Sequence, residues 1–262
     1  MEAFYFGESK SLFGVYHAPY AARDRRSGVV ICNPLGQEYI RSHRSLRQLA
    51  VKLADFGFHV LRFDFFGTGD SAGELEAGNV QHWVQDIAAA VEELKDYSDI
   101  QQISMIGLRL GAALSVLCND AANTIERAVL WDPVVDGEMY LQEVTTFHQQ
   151  WLKDLLPKPP EEIAYSEQLE ILGFPFSKSM YNSIKNIDLL NVEAKPANRI
   201  LLIESDAVEA NNRLKMRFES QGASCTLQHV PNSKVWRKGE ELNSVLMPNE
   251  TLNAIINWIG SS

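Results

Sequence analysis

Five short apolar runs, separated by amphipathic stretches, constrain this chain more than any other feature. Gly28–Asn33 (GVVICN), Phe58–Phe63 (FHVLRF), Gln102–Gly107 (QISMIG), Ala128–Asp132 (AVLWD) and Arg199–Glu204 (RILLIE) read as strands. Their nearly continuous apolar character implies cover on both faces, as in a parallel sheet. Between them Leu46, Leu49, Ala50 and Leu53 repeat at helical spacing, as do Val80, Trp83, Val84 and Ile87, and later Leu252, Ile255, Ile256 and Ile259. Each set marks one buried helical stripe. The alternation predicts an α/β chain: a doubly wound, mostly parallel central sheet with helices on both faces. A length of 262 residues suits a single such core.

Two segments depart from the alternation. Ala3–Phe6 and Leu12–His17 flank a Gly-Glu-Ser-Lys-Ser turn and read as a hairpin leading into the sheet. Residues 134–196 break the pattern in the middle of the chain. Their first part, MYLQEVTTFHQQWLKDLL, is helical by periodicity, and Pro157, Pro159 and Pro160 stop it. The expected division is a core of residues 1–133 and 197–262 with a helical cap insertion at 134–196. Phe147, Trp151, Phe174, Phe176 and Tyr181 either form the insertion's own core or line a cleft beneath it.

Charge and cysteine usage exclude several functions. A formal net charge of -10 repels phosphate backbones and anionic headgroups, which argues against nucleic acid and against membrane insertion. No apolar run approaches the ~20 residues of a spanning helix. The opening MEAFYFGESK has no basic segment leading into an apolar one, so no signal peptide is expected. Cys32, Cys118 and Cys225 lack CxxC spacing and read as buried thiols of a cytoplasmic protein. No metal and no cofactor are expected. There is no HxxxH or CxxC pair for zinc, and Gly67-x-Gly69-x-x-Ala72 is only a loose dinucleotide fingerprint with its helix delayed.

The most informative motif is Gly107-Leu108-Arg109-Leu110-Gly111, between the QISMIG strand and the small-residue helix AALSVL. A strand running into a G-x-S-x-G turn and then a helix lifts a nucleophilic serine above a sheet. The flanking glycines tolerate the strained turn and the close approach of strand and helix. Here the central residue is arginine. Other turns fall in register with it. Asn33-Pro34-Leu35-Gly36-Gln37-Glu38 follows the first long strand, and Asp64-Phe65-Phe66-Gly67-Thr68-Gly69-Asp70-Ser71 follows the second. The latter, D-x-x-G-x-G-x-S, reads as structural, with Ser71 not a nucleophile. Glu204-Ser205-Asp206 ends the RILLIE strand, and Pro231–Trp236 ends the last strand, Ser224–Val230.

Together with Trp131-Asp132-Pro133-Val134-Val135-Asp136-Gly137, these segments resemble a group of bacterial α/β hydrolases. The group lies near the serine aminopeptidase-like hydrolases and the exosortase-associated hydrolases of exopolysaccharide gene clusters. The resemblance covers residues 28–141. It implies the α/β-hydrolase fold, whose entry hairpin and cap match the two departures above. It also implies an oxyanion turn with the N–H groups of Leu35 and Leu110 as donors. The nucleophile elbow then falls at Arg109, the acid at Asp206 and the histidine slot at Lys234. His229 lies inside the last strand, ahead of that slot, and His17, His43, His59, His82 and His148 are far from the register. By analogy the group implies ester, thioester or amide hydrolysis. A serine route needs nucleophile and base together, and both positions are substituted.

A guanidinium is always charged and is costly to desolvate without a partner. The nearby carboxylates are Asp132, Asp206 and Glu38. Three readings follow. Arg109 pairs internally with Asp132 or Asp206 and plugs the pocket of a structural partner protein. Alternatively, Arg109 receives a small acyl or anionic ligand, with Leu35, Gly36, Gln37, Glu38, Leu110 and Asp132 around it. Thirdly, the chain is an active hydrolase or acyltransferase without serine, with Arg109 stabilising charge and Asp132 as base. Blander roles also exist: Asp132 capping the turn before Pro133, Asp206 as N-cap of a helix beginning near Val208, and Gln37 and Glu38 as surface loop. The reading carried forward is a non-hydrolytic or degenerate hydrolase that binds a small acyl or anionic molecule.

Overall fold

Each of the five apolar runs is a strand, and the N-terminal pair is a hairpin. The computed structural model describes residues 1–118, 125–155, 168–231, 234–237 and 248–261. Its strands are β1 (Glu2–Phe6), β2 (Leu12–His17), β3 (Ser27–Cys32), β4 (His59–Phe63), β5 (Gln102–Leu108), β6 (Ile125–Trp131), β7 (Gln168–Ile171), β8 (Phe174–Ser177), β9 (Arg199–Glu204) and β10 (Ser224–His229). Eight of them form one sheet in the order β1-β2-β4-β3-β5-β6-β9-β10. Pairings β1–β2 and β2–β4 are antiparallel and all the others in this sheet are parallel. This is the α/β-hydrolase fold.

The helices are α1 (Gly36–Asp55), α2 (Val80–Ser98), α3 (Leu110–Leu117), α4 (Gly137–Leu155), α5 (Lys178–Lys185), α6 (Glu209–Ser220) and α7 (Asn249–Gly260). Because strand side chains alternate, the parallel strands feed two separate cores. Val29, Ile31, Ile106, Leu108, Val129 and Trp131 pack against Leu46, Leu49 and Leu53 of α1 and Leu252 and Ile255 of α7. Val30, Cys32, Leu61, Phe63, Met105 and Leu130 pack on the other side with Trp83 and Ile87 of α2 and with α3. Each fully buried side chain of this size stabilises the fold by roughly 1.5–3 kcal/mol.

The stretch between β6 and β9 differs from its purely helical expectation. It holds α4 and α5, and also the antiparallel hairpin β7–β8. The reversal is possible because Leu172 and Gly173 both take positive φ, 55° and 87°. Tyr140, Leu141 and Val144 of α4, Ile171 and Phe176 of the hairpin, and Met180 and Ile184 of α5 join the core on the α2–α3 face. Phe176 is buried and Phe174 and Tyr181 partly so, whereas Trp151 is exposed. Pro157, Pro159 and Pro160 lie outside the described residues, as do Asn232 and Ser233.

The Asp64–Ser71 turn is structural, as expected. Ser71 Oγ donates to the Asp64 carbonyl at 2.6 Å and accepts from Phe13 N at 2.9 Å, tying the turn after β4 to β2. Among the described residues, no helix is long and apolar enough to cross a membrane.

Candidate functional site

The sharp turn between β5 and α3 sets the site. Arg109 stands at its apex with φ 54° and ψ −120°. Its N–H donates to the Trp131 carbonyl at 3.0 Å, and its own carbonyl accepts from Ala112 N at 3.0 Å. The two glycines are dictated by contact. A Cβ on Gly107 would lie 2.4 Å from Ala112 Cα, and one on Gly111 would lie 2.3 Å from the carbonyl oxygens of both Cys32 and Asn33. Strand and helix can therefore approach this closely only with glycine at both positions. Holding a non-glycine residue at this positive φ costs about 1–3 kcal/mol.

Arg109 is 9% exposed, and two of its guanidinium nitrogens donate to carboxylates. Its Nε donates to Glu38 Oε1 at 2.9 Å and its Nη2 to Glu143 Oε2 at 2.6 Å. Tyr140 Oη donates to the other oxygen of Glu38 at 3.2 Å. The guanidinium also lies over the rings of Tyr140 and Trp236, 5.4 and 5.3 Å from their centroids. Both Glu38 oxygens accept hydrogen bonds, so the carboxylate form is the one held. Burial alone pushes the Glu38 carboxyl above its usual range, and Arg109 opposes that shift. For Arg109, burial works against the charge, but Glu38 and Glu143 outweigh it and hold the guanidinium firmly protonated.

These partners correct two expectations. Arg109 pairs with neither Asp132 nor Asp206, and Glu38 is not a surface loop residue but a buried member of the first turn of α1. Asp132 takes φ 43°, and its carboxylate accepts from Ser205 N at 2.8 Å and Ser205 Oγ at 2.6 Å. It thus fastens the end of β6 to the loop after β9. Burial raises its pKa, and the Ser205 bonds oppose the rise. Asp206 is not a helix cap either. The residue before α6 is Val208, whose N–H goes to Glu204 Oε2 at 3.3 Å, while Asn211 Nδ2 reaches the same oxygen at 3.0 Å. The Asp206 carboxylate instead forms an ion pair with Lys234. The positions expected for acid and histidine therefore meet, as carboxylate and ammonium. His229 is half-exposed, with Nδ1 3.9 Å from Glu204 Oε1.

Beside this network lies a cavity of about 30 Å³. That is room for about two water molecules, far below the several hundred Å³ of a ligand pocket. Leu35, Gly36, Gln37, Glu38 and Leu110 line it from the sheet side, and Tyr140, Val144, Ile171, Phe176, Met180 and Ile184 from the other. Five residues expected at a site are thus gathered, while Arg109 and Asp132 are outside the lining. Glu143, Tyr140 and Trp236 were not foreseen. The only hint was the i, i+3 spacing of Tyr140 and Glu143 on one helix. Among the described residues, no cluster of His, Cys, Asp and Glu could hold a metal ion.

Residues 23–172 match the family model described as serine aminopeptidase, S33. Solved structures with the same fold include Est1E from Butyrivibrio proteoclasticus, at 14% identity with TM-score 0.67, covering 99% of this chain and 98% of that one. The Pyrococcus furiosus esterase Pf2001 is 17% identical with TM-score 0.62, over 98% and 89% of the two chains. Thermogutta terrifontis esterase 2, phosphoramylated by tabun, is 15% identical with TM-score 0.61, over 98% and 93%. No curated protein matches the sequence significantly.

Proposed function

The chain belongs to the serine aminopeptidase S33 family of α/β hydrolases, and we propose that it is a non-hydrolytic member whose cleft is held shut. The observation that carries this reading is Arg109 at the apex of the β5–α3 turn, locked by Glu38 and Glu143 at 2.9 and 2.6 Å. A serine nucleophile needs an adjacent base to activate it. In this chain the turn presents a permanent cation, and Lys234, which pairs with Asp206, stands where the sequence register expects a histidine. A guanidinium cannot accept a proton at neutral pH, so Arg109 cannot serve as a base.

The same geometry bears on the ligand. One cation faces two carboxylates in the Arg109 network, so a free anion is repelled there. The cavity next to it is walled mostly by Leu, Val, Ile, Phe and Met side chains, which suits an acyl chain better than an anion. We therefore favour a small acyl molecule as the ligand, admitted when α4 moves away from the β5–α3 turn. A non-serine hydrolase using Asp132 as base is disfavoured, because both Asp132 oxygens are occupied by Ser205. The buried cysteines Cys32, Cys118 and Cys225 accord with a cytoplasmic location.

An organophosphate active-site probe followed by intact-mass measurement tests the reading. The expected result is no mass increase under conditions that label an active serine esterase completely. Stoichiometric labelling mapped to one side chain would refute it.

A further inference from the structure

A second arginine poses the opposite electrostatic problem. Arg62 of β4 is 8% exposed. Among the described residues its one side-chain hydrogen bond is Nε to His17 Nε2 at 3.4 Å, and no carboxylate lies within ion-pair distance of it. Asp64 favours the Arg62 charge from beyond ion-pair distance; its Oδ1 accepts from Tyr39 Oη at 2.8 Å and its Oδ2 from Asp70 N at 3.1 Å. A neutral imidazole is a weak counterpart for a guanidinium, and a buried cation without an anion is destabilising.

More positive charge surrounds it. Tyr39, His43 and Arg47 follow one another at i, i+4 and i+8 along the edge of α1. The Tyr39 and His43 rings meet edge to face at 5.9 Å. Arg47 is exposed and forms no ion pair among the described residues. Burial, Arg62 and Arg47 all work against protonation of His43, and His17, buried and facing Arg62, the chain's amino terminus and Arg47, is lowered to about 4. From Tyr39 to Ala54 the helix contains no acidic residue, in a chain whose net charge is -10. Asp64 offsets part of this local excess of cations, and among the described residues no carboxylate reaches ion-pair distance of Arg62 or Arg47.

We propose that the edge between α1 and β4 is a binding site for a phosphate-type dianion, inorganic phosphate or a phosphate monoester, gripped by the Arg62 fork, Arg47 and His43. Two fixed guanidinium charges match a dianion, and a planar fork suits the oxygens of a tetrahedral anion. His43 adds a donor when protonated, and Tyr39, already bound to Asp64, orients the wall. This site is independent of the Arg109 cleft and stands or falls without it.

The test is a titration with inorganic phosphate and, separately, glycerol 3-phosphate, read from the imidazole proton resonances of His43 and His17. Both probes are expected to shift these resonances saturably, and acetate, a monoanion, is expected not to. Equal affinity would assign recognition to the phosphate group, and tighter monoester binding would add a contact to its substituent. Arg47→Ala and Arg62→Lys should each weaken binding ~10- to 100-fold, while Arg213→Ala on the exposed face of α6 should leave it unchanged. Arg47 and His43 are exposed, so Arg47→Ala and His43→Ala keep the test valid if Arg62→Lys misfolds. No saturable shift, or equal binding by Arg47→Ala and the wild type, would overturn the proposal, showing an adventitious ion only.

Discussion

Arg109 and Arg62 are equally buried, at 9% and 8% exposure, yet they sit in opposite surroundings. Arg109 has two carboxylates and the ring faces of Tyr140 and Trp236; among the described residues Arg62 has one imidazole. Burial alone therefore says little about what an arginine does. The first is tied down from α1 and α4 and joins those helices over the β5–α3 turn. The second has no carboxylate within ion-pair distance among the described residues, and only Asp64 favours its charge from farther off.

Substitutions should separate the two cases, beginning with the largest effect. Arg109→Ala leaves Glu38 as a buried carboxylate without its cation, and should destabilise the fold by about 3–5 kcal/mol in urea denaturation at pH 7. Glu38→Gln in the same chain should recover part of that loss. A loss below about 1 kcal/mol would mean that the network contributes little. The deficit of Arg109→Ala should also shrink on acidification, because Glu38, already raised by burial, then has no cation opposing the rise.

Asp86 offers an acidic counterpart to Arg62. It is 5% exposed, accepts from Phe66 N at 2.9 Å, and burial raises it to about 6. Its folded pKa exceeds its unfolded one, so its contribution is fully present below about 4 and is lost as pH rises through about 6. Asp86→Asn, which keeps an acceptor for Phe66, should remove a fall in stability of about 3 kcal/mol across that window. Parallel stability-versus-pH curves for variant and wild type would contradict the assignment.

Arg62→Met should be nearly neutral in phosphate-free buffer, within about 1 kcal/mol, since it breaks no ion pair and removes a desolvation cost. A loss as large as that of Arg109→Ala would erase the contrast between the two sites. The smallest effect belongs to Glu143→Gln. The Glu143 side chain is 38% exposed, so solvent screens it and the change should cost about 1 kcal/mol or less.

The fold was legible because strand and helix periods are written locally, in runs such as RILLIE and in the Leu46–Leu53 stripe. The β5–α3 turn was equally visible, since Gly107 and Gly111 answer to contacts within a few residues and with the end of β3. The partners of Arg109 were not. Asp132 and Asp206 looked eligible because they end neighbouring strands, but positive φ turns Asp132 toward Ser205, and Lys234 claims Asp206. Glu143 is a polar residue on an amphipathic helix, indistinguishable in sequence from one that faces water. Its role depends on how α4 crosses the sheet, which no local pattern encodes. The β7–β8 hairpin was missed for a related reason: its four-residue strands are too short to show a period.

The most direct measurement of the central claim is turnover of p-nitrophenyl esters and acyl thioesters by the purified chain beside Arg109→Ala, each confirmed folded by circular dichroism. The expected result is no hydrolysis above the buffer rate by either protein. Saturable turnover by the wild type that disappears in Arg109→Ala would contradict it, and would make Arg109 a participant in catalysis.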